Sequence, residues 1–401
     1  MLDARQIDHA LIESATTLSQ SVLFRWAADV DEQARFPHES VTALREAGLF
    51  GYGVPQIYGG LGGNLQTFWR ISAALGAGCL STALIWAMHC QQAAILVDHA
   101  AQSYPDVLAE IAKRGALVAS VTTERGKGGH LFTADAPLIP DGDGLRLSRF
   151  APVVSYGGEA DYFLITARAG EDAPPNDVRL VLATPADGSI TPAGDWQVMG
   201  MRGTRSGAMQ FDLHVSYDRV LDVPFRLIAL QSMVPVGHLG WAGAWYGAAK
   251  GAVDRCVRQL RGSARQHSRK LTSELFTHRL ARLRMSLDLM EAMLNQTADR
   301  LDSYRQQDAP PEQYEDITHN IALNNLKVAV SELAFTVVEG LVETVGFAQG
   351  YVQEPQIGIE RVFRDLRSAA LMYSNDRLLE ANGKLMIAEN TAMGTIWQRK
   401  A

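Results

Sequence analysis

Cysteine is scarce: Cys79, Cys90 and Cys256 are the three in 401 residues. They form neither a CxxC pair nor a Cys/His ligand spacing, so no disulfide framework and no metal site are expected, and a reducing compartment, the cytoplasm, fits. Basic blocks are missing as well. With a formal net charge of −7 and no Lys/Arg cluster, nothing here reads a nucleic-acid polyanion. No long apolar run goes unbroken. The longest, Leu80 to Val97, is interrupted by His89, Gln91 and Gln92, and the N-terminal MLDARQIDHALIES carries early acids and no apolar signal core, so neither a membrane span nor a leader is expected. Hydrophobic residues make up 47% of the chain, enough for a sizeable core spread over two or three domains.

The periodicity divides the chain into three. Residues 1 to about 115 read as helices. Pro37 just inside a helix start, apolar Val41, Leu44 and Leu49 on one face and Gly48 at the stop mark the first clear one. The following GYGVPQIYGGLGGN lacks the Lys-Ser/Thr ending of a phosphate loop and reads as a tight turn. His89, on the apolar helix after Leu80, reads first as a core histidine and second as a pocket residue.

From about 116 to 225 the period shortens. ALVASVTTE, LRLSRFAPVVSY, DYFLITAR, VRLVLATP and GAMQFDLHVSY are short, β-branched and separated by turn clusters, the pattern of a small antiparallel sheet or barrel. In the last of them Phe211, Leu213, Val215 and Tyr217 are expected to point one way. Helices resume from 226 to 401. Leu280, Leu287, Leu294 and Leu301, with Leu283 and Met290, give a seven-residue seam for a bundle of the four-helix kind. A helix from Ile317 to about Val345 follows, and IERVFRDLRSAALMYSNDRLLEANGKLM, residues 359 to 386, reads as one more uninterrupted helix. The fold class is thus α+β and mostly helical, with a small central β-domain.

Three motifs in this order resemble the acyl-CoA dehydrogenases and their flavin-dependent relatives: FPHESVTALREAGLFGYGVPQIYGGLGG, WQVMGMRGTRSGAMQFDLHVSYDRVL and ERVFRDLR. The resemblance implies a flavin between the β-domain and the C-terminal helices. VTTERGKGGH corresponds to a segment that sets Thr122 and Thr123 on the pyrimidine edge, and Val153-Val154-Ser155 to one whose hydroxyl meets flavin N5. Fixed donors there tune the cofactor's electronics. Arg265 or Arg269 corresponds to the family's adenine-side arginine, and Gly350 to its glycine-rich adenine segment, here TVGFAQGY, in which Phe347-Ala348 replace paired glycines. FAD is the expected cofactor, with FMN as the alternative. Gly129, His130, His238 and Arg364 fall along the expected substrate path.

The reaction of the family needs a carboxylate base, and its two usual positions fall on Tyr373 and near Gly237-His238, where there is none. Asp376, three residues beyond Tyr373 on the same helical face, is the candidate substitute, with Tyr373 and His89 beside it. Three functions follow from the resemblance. The first is a dehydrogenase acting on acyl-CoA or an acyl carrier protein, passing electrons to an electron-transfer flavoprotein. The second is a two-component monooxygenase supplied by a flavin reductase, which needs no such base. The third is a silent partner subunit. A homodimer or homotetramer is expected for all of them.

Overall fold

The computed structural model describes residues 4–126, 130–262, 272–353 and 356–388. Six helices open the chain: α1 (Ala4–Leu18), α2 (Phe24–Glu32), α3 (His38–Glu46), α4 (Leu65–Gly78), α5 (Leu80–Ala100) and α6 (Pro105–Arg114). Pro37 is the N-cap of α3, one residue earlier than expected, and Gly48 ends that helix in the left-handed region at φ 68°. The glycine-rich stretch is a turn. A Cβ on Gly63 would lie 2.0 Å from the Tyr52 ring, and one on Gly60 would lie 2.1 Å from the Val54 carbonyl oxygen, so the chain folds on itself too closely for side chains there. Helix α5 runs for 21 residues and passes the length and apolarity test for a membrane span, but 89% of its apolar window is buried within the protein. That is the environment of a core helix.

Two sheets follow rather than one, and they do not close. One sheet orders β1 (Val118–Val121), β4 (Tyr162–Arg168) and β5 (Val178–Ala183). The other orders β2 (Ile139–Asp141), β3 (Gly144–Ala151), β7 (Met209–Ser216) and β6 (Gly188–Pro192). The expectation of purely antiparallel pairing is corrected at one place: β1 and β4 run parallel. Their connection passes through the whole β2–β3 hairpin, which is long enough to return the chain in the same direction. In β7, Phe211, Leu213 and Val215 face the core as expected, whereas Tyr217 has left the strand for a turn and is 54% exposed.

The C-terminal part holds α7 (Phe225–Ile228), α8 (Val234–Gly262), α9 (Glu274–Gln306), α10 (Pro311–Tyr314), α11 (Ile317–Val345), α12 (Ile359–Leu366) and α13 (Asn375–Ala388). The α9 seam buries Leu283, Leu287, Met290, Leu294 and Leu301, with Leu280 partly covered. Small residues on α8 bring it against α4: a Cβ on Gly247 would sit 1.9 Å from the Ala73 oxygen. The long helix expected over 359–386 is two helices, broken by turns with Tyr373 at φ 55°. One core cluster runs through the N-terminal helices, the strands and the bundle.

Candidate functional site

At the end of β3 the chain is clamped against the loop before β7. Val154 N–H donates to the Gly207 carbonyl at 3.0 Å and Tyr156 N–H to the Thr204 carbonyl at 2.8 Å. The buried Tyr156 hydroxyl reaches the Val118 carbonyl at 3.0 Å. Between these fixed points Ser155 is only partly covered. Its Oγ accepts from Ser206 Oγ at 2.9 Å, Ser206 Oγ is 2.8 Å from Thr204 Oγ1, and Thr204 Oγ1 donates to the Met201 carbonyl at 2.9 Å. Thr123 joins this edge to β1, its hydroxyl donating to the Val153 carbonyl at 2.9 Å and accepting from Val153 N–H at 3.3 Å.

The edge is braced from behind by buried charge. Arg149 donates to the Thr166 carbonyl and, at 3.0 Å, to the Thr123 carbonyl, with Glu124 at 3.7 Å. Burial lowers the Arg149 guanidinium to about 10, so it stays charged at neutral pH. Glu124 in turn accepts from the Asp135 and Ala136 amides at 3.0 and 2.9 Å. Thr122, Thr123, Val153, Val154 and Ser155 therefore do come together, on a braced edge that leaves the Val153 side chain 40% exposed.

In the helical part, α8 and the turn before α13 form an aromatic cluster. The His238 and Tyr373 rings meet edge-on at 5.4 Å, and Trp241 lies 5.7 Å from His238. His238 Nδ1 is 3.3 Å from the Leu323 carbonyl. Burial and the nearby Lys327 charge hold this imidazole down to about 3, so it is neutral. Burial pushes the Tyr373 phenol up. His238 Nε2, Trp241 Nε1 and Trp245 Nε1 are buried without a hydrogen-bond partner, which is costly unless something else supplies one.

Lys327 was not singled out by the sequence. Fully buried on α11, its Nζ donates to the Ala369 carbonyl at 3.0 Å and to Asn375 Oδ1 at 2.7 Å, and burial lowers it to about 8. Asn375 Nδ2 donates onward to Ser331 Oγ at 3.0 Å. These bonds account for the broken helix: Ala369 gives its carbonyl to a lysine, and Asn375 starts a new helix pinned to α11. The only sequence signal was a lone lysine among the apolar residues of LNNLKVAVSELAF.

Several expected site residues have other work. His89 is fully buried, with Nε2 3.0 Å from the Phe50 carbonyl and Nδ1 accepting from Val118 N–H at 3.1 Å. Both nitrogens are taken by backbone and burial holds the ring down to about 4, so it is a core histidine and not a catalytic one. Arg364 pairs with Asp31 at 2.5 Å and Glu360 at 2.9 Å and donates to the Met199 carbonyl at 3.1 Å, leaving no free fork for substrate. Asp376 is exposed on the first turn of α13. The left-handed residue at 373 ends the shared helical face, so Asp376 does not stand beside the inward-facing Tyr373 ring. Gly350 is buried where a Cβ would come 2.9 Å from the α11 backbone at Val342, a packing reason for glycine. His130 is exposed. Gly129, Arg265 and Arg269 lie outside the described residues.

Comparison with known proteins agrees with this geometry. Residues 6–103 match the acyl-CoA dehydrogenase N-terminal domain and residues 228–373 the acyl-CoA dehydrogenase C-terminal domain. Dibenzothiophene monooxygenase of Rhodococcus qingshengii is 25% identical over 369 residues, covering 86% of this chain and 87% of its own. Among solved structures, FMN-bound TdsC from Paenibacillus sp. A11-2 superposes with a TM-score of 0.84 at 18% identity, over 97% of this chain and 100% of its own. Butyryl-CoA dehydrogenase from Megasphaera elsdenii gives 0.84 at 17% identity, over 96% and 100%. The two matched domains, in order and flanking the braced β-edge, place the chain in the acyl-CoA dehydrogenase family, as a flavin-dependent oxidoreductase.

Proposed function

We propose that this family member is an oxygenase of the two-component kind, receiving reduced flavin from a reductase and acting on a flat, largely apolar small molecule. The observation that carries the reading is the His238–Tyr373 contact. The family's two base positions touch each other here, and neither holds a carboxylate. A neutral imidazole held near 3 and a phenol raised by burial are both poor bases at neutral pH, whereas removal of an α-proton needs a base matched to the working pH. Oxygenation makes no such demand. The 25% identity to a monooxygenase over most of both chains supports the same direction.

The residues present fit a flavin. Ser155 offers a partly exposed hydroxyl, Thr122 and Thr123 a fixed strand edge, and Val153 an apolar side chain on the open face. When bound, the flavin supplies the redox and oxygen chemistry. The chain's part is to hold that edge rigid and to supply, in His238, Trp241 and Tyr373, a water-poor aromatic cluster. FMN fits the altered TVGFAQGY segment better than FAD, because the paired glycines that would grip the ADP half are replaced. Exposed Leu275, Met285 and Leu289 on α9, and the stacked Phe347 and Tyr351, support self-association as a dimer or tetramer.

Two stopped-flow mixes separate the chemistries. Reduced flavin on the protein, mixed with oxygen, is expected to give a transient absorbance distinct from oxidised flavin, while oxidised flavin mixed anaerobically with acyl-CoA thioesters of several chain lengths is expected to keep its colour. Bleaching by a thioester alone would return the chain to the dehydrogenases.

A further inference from the structure

Helices α9 and α11 enclose a cavity of about 110 Å³ that shares no lining residue with the His238, Trp241 and Tyr373 cluster. Met293, Gln296, Thr297 and Arg300 reach it from one face of α9, at the three- and four-residue spacing of a helical stripe. His319, near the start of α11, reaches it from the other side. This histidine is 2% exposed, with the Tyr304 and Tyr314 rings packed around it at 5.0 and 6.0 Å, and neither of its nitrogens has a hydrogen-bond partner. A phenyl ring would fill the same aromatic nest without stranding two buried polar atoms, which is costly. A guest in the cavity supplies what the imidazole lacks.

The polar groups around that space are donors rather than acceptors. Arg300 is the only charged side chain among the described lining residues, and none of them is a carboxylate. Burial, helped by the Arg300 charge, holds His319 down to about 4, so the ring is neutral and has one N–H to give. Asn325, also in the lining, already accepts at Oδ1 from Asn382 Nδ2 at 3.0 Å, which leaves that amide its N–H groups. We propose that the cavity binds a short monocarboxylate, with its charged end beside Arg300 and His319 and its hydrocarbon end against Met293 and Leu323. An apolar cavity of about 150 Å³ takes benzene, so this smaller space suits about five heavy atoms, the size of propanoate. Nothing in the site depends on flavin.

The test is isothermal titration of the full-length protein, with and without added FMN, using sodium propanoate and its neutral isostere propanamide. The wild type is expected to take one propanoate per chain with the same affinity in both conditions, and to bind propanamide about tenfold more weakly or worse, because bonds to a charged group are the stronger. Ala322→Leu places three more carbons in the lining of the cavity, and Arg300→Gln removes its charge. Each is expected to weaken propanoate by about tenfold or more, so the result does not hang on one variant folding. Equal binding of acid and amide, unchanged propanoate affinity in both variants, or displacement of propanoate by FMN would overturn the assignment. So would the absence of heat from either ligand, which would leave the cavity to ordered water only.

Discussion

His238 and Tyr373 show how one side-chain contact decides between chemistries that share a fold. Loss of a working general base costs about 10²–10⁴-fold in rate. Tyr373→Phe keeps the ring against His238 and Trp241 and is expected to lower steady-state oxygenation by less than about tenfold; a loss within the general-base range would make the phenol a participant. Lys327 has a different duty. Lys327→Met strips donors from the Ala369 carbonyl and Asn375 Oδ1, an expected loss of about 1–3 kcal/mol in urea unfolding, partly offset because a desolvated ammonium is removed. At this scale the sequence was half legible. Ser155 and Thr123 lay in recognisable motifs and do lie on one edge. His89 carried two readings that only its backbone partners could separate. Lys327 was hidden because a single lysine in an apolar helix looks like a surface residue until the opposing helix is in place.

The break between α12 and α13 is an element-scale result that periodicity alone could not supply. Apolar residues recur every three or four positions through 359–386, and nothing local forbids a helix. A lysine from α11 draws one carbonyl out of the ladder, and Tyr373 takes the left-handed turn. Tertiary bonds outweighed propensity there. Where packing agreed with the local pattern, prediction held: the α9 seam and the span of α11 are as read. The missed strands Ile139–Asp141 and Gly188–Pro192 are short edges containing proline; the first pairs locally with β3 in a hairpin and the second with β7. Two glycines test the helix packing in opposite directions. Gly247→Ala drives a methyl into the Ala73 backbone and is expected to cost at least about 2 kcal/mol by forcing α4 and α8 apart. Gly383→Ala meets nothing within 4 Å and should gain about 0.5–1 kcal/mol from helix propensity alone. Thermal or urea midpoints of the two variants measure both.

At the scale of the whole molecule, the ionisable core sets a pH window. His89 and His319 are held near 4 and His238 near 3, all by burial. Their folded values lie below the ordinary 6.5, so the stability tied to their neutral forms is full above 6.5 and is lost as pH falls through the folded values. Asp365 acts oppositely. Burial raises it to about 7, so its contribution is present below the ordinary carboxyl value of 3.8 and lost as pH rises through 7. Three protons taken up less one released leaves two, a loss of about 3 kcal/mol per pH unit between roughly 6.5 and 4. Urea titrations at pH 7, 6 and 5 should show that slope, and a flat profile would mean that the buried histidines are not neutral in the native state.

Arg364 has one further consequence. Its guanidinium binds Asp31 of the N-terminal helices, Glu360 of α12 and the Met199 carbonyl of the strand region, so none of the three regions can separate without breaking a charged bond. Scanning calorimetry should record one endotherm for the wild type, and Arg364→Met should divide it into steps that reveal the separate thermal lifetimes of the parts.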